Sequence, residues 1–277
     1  MFQGTSIQGF QGWVVLGMGF TLVGLLAAIP VVAEEEQEEG AWTGEVALSV
    51  NVQTGSVDTF AGSLDATTER KWTVDVLSFR LNGVYGRTRD REGSDSQDQT
   101  SQNSQSLSGK WKRTLHERFF WNTAGGVSRD TTQDREARAR IVTGPGYRFW
   151  EGEDADKSYF DTSAGLGYRY ELYDGNTDPN PTRREQGFDR QYSDVVAAFD
   201  YKNSLFEDRI EYSHTGSVAL PVNDVSGYII ATEIIASVPL TGAWVFRTSA
   251  LYEYVNDVPD DRNPSTFRLA LGLGYKF

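Results

Sequence analysis

The last eleven residues limit what this chain can become more than any other stretch. Phe267, Leu269, Leu271, Leu273, Tyr275 and Phe277 are large and apolar, while Arg268, Ala270, Gly272, Gly274 and Lys276 between them are small or charged. A period of two over this length is a β-strand with one greasy face and one wet or crowded face. The strand runs to the terminus and stops on an aromatic ring. In a soluble domain it would leave a hydrophobic strand at a fraying end. In a transmembrane β-barrel it is the closing strand, with a membrane-girdle aromatic at its tip.

Phe267, Leu269, Leu271, Leu273, Tyr275 and Phe277 are therefore read as a membrane-assembly signal, since they resemble the terminus of bacterial outer-membrane barrels. That resemblance implies the barrel-assembly machinery as a partner during biogenesis. The other end agrees. Trp13 to Ala33 is almost wholly apolar, and an acidic run, Glu34-Glu35-Glu36-Gln37-Glu38-Glu39, follows at once. Val31-Val32-Ala33 offers signal peptidase its small residues, so residues 1–33 are expected to be a signal peptide cleaved after Ala33. Residues 34–41 then form an acidic tail and 42–277 the barrel. The leader lacks the usual basic residues, and it is long enough to span a bilayer as a helix. A retained anchor is thus the alternative, although a helical anchor sits poorly with a barrel behind it.

Composition points the same way. Mean hydropathy is −0.46, which on a hydropathy plot would pass for soluble, but it does not count against a membrane barrel because each of its strands is only half apolar. The 28 Gly, 13 Tyr, 15 Phe and 7 Trp, against 2 Met and 8 Pro, suit an aromatic-rich sheet. Cysteine is absent, which rules out a disulfide framework or a thiolate metal site. A net charge of −13 argues against nucleic acid as a partner, which would need a basic stripe.

Twelve strands are expected, at 42–52, 60–68, 73–87, 104–113, 119–129, 136–149, 158–173, 189–201, 209–218, 227–238, 244–255 and 266–277. The fold class is all-β, an antiparallel transmembrane barrel of about 12 strands with periplasmic termini. Alternation is weak around 60–68 and 136–149, where bulges are expected. Pro145 belongs at a bulge or a non-bonded site. Periplasmic termini make the odd-numbered connections outward and long. The longest two, 88–103 and 174–188, are the third and seventh. The sixth, Trp150–Lys157, is long for an inner turn. Trp42, Trp72, Trp111, Trp121, Trp150 and Trp244 fall at or near periplasmic strand ends, and Tyr173, Tyr192, Tyr228, Tyr252 and Tyr254 near the opposite ends. Two such belts are what the two faces of a bilayer select.

Several segments also carry a family likeness. Trp42-Thr43-Gly44-Glu45-Val46-Ala47-Leu48-Ser49 with Thr54-Gly55-Ser56-Val57-Asp58-Thr59 resembles the opening of the salt-stress-induced outer-membrane protein family, domain of unknown function 481. So do Gly144-Pro145-Gly146-Tyr147-Arg148, Gly165-Leu166-Gly167-Tyr168-Arg169 and Gly272-Leu273-Gly274-Tyr275-Lys276-Phe277. The likeness spans about 42–277, and Ser56 stands where members usually carry Asn. It implies an outer-membrane barrel tied to salt stress, with no established reaction. In the Gly-x-Gly-Tyr segments, glycines are expected to make room in the lumen for neighbouring side chains.

Few residues offer chemistry. His116 lies in a predicted inner turn and is read as solvated. His214 shares parity with Ile210 and Tyr212, which points it at lipid near the outer leaflet. Outer-membrane phospholipases place a Ser two residues after such a His, but here Gly216 occupies that position. Ser213 and Ser217 have the opposite parity, and a nucleophile must lie within reach of its base. Asp95, Asp98, Asp174, Asp178, Asp257, Asp260 and Asp261 gather in outward loops with little histidine to pair with. No stretch matches the twelve-residue calcium loop, so no metal site or cofactor is assigned.

Opposite-parity positions place Glu45, Arg80, Lys110, Lys112, Arg140, Arg148, Asp161, Arg169, Glu171, Asp194, Asp200, Glu211, Arg247, Glu253 and Arg268 inside. Charges of both signs on facing walls form a salt-bridged plug or line a narrow wet pore. The number of long side chains converging there favours the narrow or occluded state over an open one. A non-enzymatic envelope protein is expected, in contact with outer-membrane lipid and lipopolysaccharide, acting as a narrow passive channel or barrier. An adhesive or structural barrel working through loops 88–103 and 174–188 is the alternative; a lipid-modifying enzyme is a distant third.

Overall fold

The computed structural model describes residues 40–54, 59–88, 101–133, 135–154, 157–173, 188–206, 208–257 and 264–277. Twelve strands follow one another: β1 (Trp42–Thr54), β2 (Thr59–Lys71), β3 (Asp75–Thr88), β4 (Ser101–His116), β5 (Phe119–Asp130), β6 (Arg135–Glu151), β7 (Tyr159–Tyr173), β8 (Phe188–Leu205), β9 (Ile210–Pro221), β10 (Ile229–Thr241), β11 (Trp244–Val255) and β12 (Ser265–Lys276). Each pairs antiparallel with its neighbours in sequence, and β12 closes on β1 from Glu45↔Lys276 to Thr54↔Phe267. The apolar terminal strand therefore has a partner on both sides, and the sheet has no free edge. The expected signal peptide, 1–33, and residues 34–39 of the expected acidic tail lie outside the described residues.

The strands run further than the alternation reaches. β2 extends to Lys71 and β4 spans Ser101–His116, because polar residues near strand ends obscure the period without breaking the ladder. Connections at one end are short, such as 117–118 and 242–243; those at the other, such as 89–100 and 174–187, include the longest. We call these the turn end and the loop end. At the turn end, Gly152 N donates to Ser158 O at 2.8 Å across the connection between β6 and β7. At the loop end, Asp224 caps a 3-10 turn, Val225–Gly227, accepting from Ser226 N and Oγ; those bonds hold its carboxyl below the usual carboxylate range.

The bulges expected in 136–149 are present in β6, where the register with β7 shifts between Arg135 and Ala137 and between Arg148 and Trp150. The pairing of β2 has no shift, so the weak alternation at 60–68 reflects polar residues rather than a bulge. Pro145 stands opposite Trp121 of β5, and the β6–β7 ladder skips from Thr143↔Leu166 to Gly146↔Ser163. The two strands approach closely there. A Cβ on Gly144 would lie 2.2 Å from Ala164 O, and one on Gly165 would lie 2.4 Å from Thr143 O.

Burial is inverted relative to a soluble domain. On the outward face Leu48 is 67% and Leu166 70% exposed, while on the inward face Arg169 is 2% and Glu171 1% exposed. Leucines outside and ion pairs inside reverse the arrangement that water imposes on a soluble fold.

Candidate functional site: the lumen

Register fixes which residues face inward. Leu48 stands opposite Leu64, and Ala66, Leu81, Leu107 and Val127 stand opposite one another across β2–β5, all on the outward face. Positions of the opposite parity therefore point into the barrel. On this criterion Glu45, Arg80, Lys110, Lys112, Arg140, Arg148, Asp161, Arg169, Glu171, Asp194, Asp200, Glu211, Arg247, Glu253 and Arg268 all lie on the inward wall. The glycines open space as their spacing implies. A Cβ on Gly146 would overlap the Phe120 ring, and one on Gly274 would lie 2.8 Å from Glu45 Oε1.

The inward charges are paired, and several pairs cross the lumen. At middle height the Arg80 guanidinium holds Glu233 through both Nη atoms, with Nη2–Oε1 at 2.7 Å. β3 and β10 are separated by β2, β1, β12 and β11, so this bidentate pair bridges nearly opposite walls. Arg80 Nε also donates to Asp65 Oδ2 at 2.8 Å. Arg247 reaches the other oxygen of Asp65 and Glu45 Oε1, each at 3.0 Å.

A second tier lies toward the loop end. Arg138 of β6 pairs with Glu171 and, across the barrel, donates from Nη1 to Glu253 Oε1 of β11 at 2.8 Å. Arg169 donates to Asp194 Oδ2 (3.1 Å), Glu171 Oε1 (3.1 Å) and Gly227 O (2.7 Å), and its guanidinium lies 4.0 Å from the Tyr192 ring. Tyr173 OH donates to Glu171 Oε2 at 2.9 Å. Arg135 Nη1 donates to Gln133 Oε1, and Gln133 Nε2 donates across the mouth to Thr266 Oγ1 of β12.

The third tier is at the turn end. Asp161 accepts from Arg148 Nε at 2.8 Å and also pairs with Lys112, whose Nζ lies 4.2 Å from the Phe120 ring centre. Lys110 of β4 donates to Asp200 Oδ2 of β8 at 3.0 Å, and Lys276 pairs with Glu211. Charge-assisted pairs of this kind are the strong hydrogen bonds of a protein interior.

Two sequence expectations are corrected. Tyr173 and Tyr192 sit near the loop end but are buried and turned inward onto Glu171 and Asp257, so they belong to the lumen and not to an aromatic belt. Tyr228 and Tyr254 do stack on the outer wall, their centroids 5.7 Å apart. His214 faces outward but comes early in β9, in the turn-end half of the wall, not near the outer leaflet. Its Nε2 lies 2.9 Å from Thr232 Oγ1 of β10, a hydroxyl that parity within β9 alone could not reveal. Thr232 Oγ1 also donates to Thr215 O at 3.1 Å, a bond that leaves the hydroxyl as acceptor toward Nε2. The ring packs edge-on against Phe199. His116 ends β4, exposed.

Sequence reasoning missed Asp65, Arg138 and Glu233. Arg138 shares inward parity with Arg140, and Glu233 is opposite in parity to Ile230 and Ile234, so both were within reach of the same rule. The indoles of Trp42, Trp72, Trp111, Trp121, Trp150 and Trp244 all lie at the turn end, partly exposed. Arg70 covers two of them, Trp42 and Trp72. Phe267, Leu269, Leu271, Leu273 and Tyr275 form the outward face of β12, and Phe277 follows it. Apart from strand ends, loops 88–103 and 174–188 lie outside the described residues, as do Asp95, Asp98, Asp174, Asp178, Asp260 and Asp261; Asp257 is described, bonded to Arg190 and Tyr192. Among the described residues no group of His, Asp or Glu is arranged to hold a metal ion.

Comparison with solved structures finds low-identity similarities. The chain is similar to the translocator domain of autotransporter NalP from Neisseria meningitidis, with 12% identity over 95% of this chain and 96% of that one, and a TM-score of 0.47. It is similar to the NanC porin, with 11% identity over 86% and 100% and a TM-score of 0.47. It is also similar to the COG4313 outer membrane channel from Pseudomonas putida F1, with 11% identity over 88% and 97% and a TM-score of 0.46. Among curated proteins, no sequence matches the chain. A family model spans residues 46–277, almost all of the barrel, and by that match the chain belongs to the family described as protein of unknown function, DUF481.

Proposed function

We propose that this protein is a non-enzymatic outer-membrane barrel whose lumen is closed at rest by ion pairs, serving as a barrier or a narrow passive channel. The observation that carries this reading is the trans-lumen pairing, above all Arg80 with Glu233 and Arg138 with Glu253. A twelve-stranded wall leaves more room than an eight-stranded one, which side chains alone fill. Here long charged side chains reach across that room and lock together. The outward Leu and Val belt supports lipid and lipopolysaccharide as its surroundings. The indoles at the turn end and stacked tyrosines at the loop end suit the two interfaces, the turn end being periplasmic.

Export through a cleaved leader and folding by the barrel-assembly machinery belong to the same proposal. So does the tie to salt or osmotic stress that the family likeness implies. Physically, partly wet pairs such as Lys110–Asp200 and Lys276–Glu211 feel ionic strength more than the dry pairs above them.

Planar-bilayer recording on the refolded, heat-modifiable barrel tests the reading. Wild type should show no large steady steps across a salt series, and Arg80→Met with Glu233→Ala should raise conductance. Wild-type steps that grow with bulk salt conductivity, unchanged by those substitutions, would mean the pairs do not close the lumen.

A further inference from the structure

We propose an oxyanion-binding site on the loop-end wall of the lumen, anchored by Arg140, for a small phosphate or carboxylate. β6 carries Arg135, Arg138 and Arg140 inward, and the ladder sets Arg140 directly opposite Arg169 of β7. Like charges placed opposite one another destabilise a sheet. Arg169 escapes that cost because Asp194, Glu171 and Gly227 O surround it. Arg140 has no such cage; the acid that attracts it, Glu253, is already paired with Arg138. Among the described residues Arg140 makes no ion pair, yet solvent reaches it.

The acids nearby are already committed. Glu171 accepts from Arg138, Arg169 and Tyr173; Asp194 accepts from Arg169; Glu253, on the far wall, accepts from Arg138. Two further donors on the same strand are unsatisfied among the described residues: Arg135 Nε and Arg138 Nη2 are buried without a hydrogen-bond partner, in residues only 4% and 6% exposed. A buried charged donor left unmade is costly. One strand thus carries an accessible guanidinium without an ion pair among the described residues and two orphaned N–H groups. The complement is an anion with several acceptor oxygens in a plane or tetrahedron, the shape a guanidinium fork matches. Chloride, with no directional acceptors, would gain less from the fork.

The site is independent of whether the barrel conducts, so it is tested by binding. The probe is inorganic phosphate, titrated calorimetrically into the detergent-refolded full barrel at constant ionic strength set with chloride. Wild type should show saturable binding, Arg140→Gln should weaken it tenfold or more, and Arg140→Lys should fall between because it lacks the fork. Lys157→Gln removes the same charge from an exposed turn and should leave binding unchanged. Arg140→Gln relieves the repulsion against Arg169, so it is expected to fold, which heat-modifiability on a gel checks. No saturable phosphate binding by wild type would overturn the proposal. So would equal affinity in folded Arg140→Gln, or an equal loss in Lys157→Gln.

Discussion

Coupling between Arg80 and Glu233 can be measured directly. The pair makes two charge-assisted hydrogen bonds across the lumen. At about 1.5–3 kcal/mol for each such bond, a dry pair would couple by about 3–6 kcal/mol. The Arg80 side chain is 32% exposed and Glu233 15%, so water weakens the pair, and we expect a coupling of about 2–3 kcal/mol. A double-mutant cycle isolates it: wild type, Arg80→Met, Glu233→Ala and the double variant, each unfolded in urea from lipid vesicles and followed by tryptophan fluorescence. Glu233→Ala alone should cost more than the coupling, because it strands a guanidinium that keeps only Asp65. The double variant should be less destabilised than the sum of the two singles. A coupling below about 0.5 kcal/mol, the usual limit of additivity, would show that the two side chains do not meet in the folded barrel. The closed lumen would then lose its central bridge.

Other substitutions probe different parts of the structure. Gly144→Ala places a Cβ 2.2 Å from Ala164 O and should destabilise the barrel by about 2 kcal/mol or more, whereas Gly83→Ala, with nothing within 4 Å, should be close to neutral in the same urea assay. Asn51 is 1% exposed between Ala270 and Ala61, and both its side-chain polar atoms lack partners; Asn51→Leu should therefore raise stability by about 1–2 kcal/mol, and a loss would mean the amide is satisfied in the membrane. His214→Ala should leave phospholipid turnover at background while costing about 1 kcal/mol of packing against Phe199, and any fall in turnover would reopen the enzymatic reading.

Much of the fold was legible because a barrel strand is a local code. Its period of two assigns each residue to a face, and turn and loop lengths assign each strand an end. The alternation of Phe267 to Tyr275 was enough to place β12, and the parity of Arg169 and Glu171 was enough to turn them inward. Where local rules slipped, the cause is visible. Tyr173 and Tyr192 were placed by height alone, although they share parity with Glu171 and Asp194. Asp65 sits in a strand whose polar residues blur the period.

What parity cannot supply is which inward residue meets which. That depends on strand count, stagger and closure, all properties of the whole ring. Arg80 and Glu233 are far apart in sequence and lie on walls that face each other only once β12 has paired with β1. The same holds for Arg138 with Glu253, and for Thr232 beside His214, which only the β9–β10 register brings together. The sequence alone determined that charges line the interior of a twelve-stranded sheet. The tertiary structure decided which of them neutralise each other and left Arg140 without an ion pair among the described residues, because close pairing depends on distances that only closure sets.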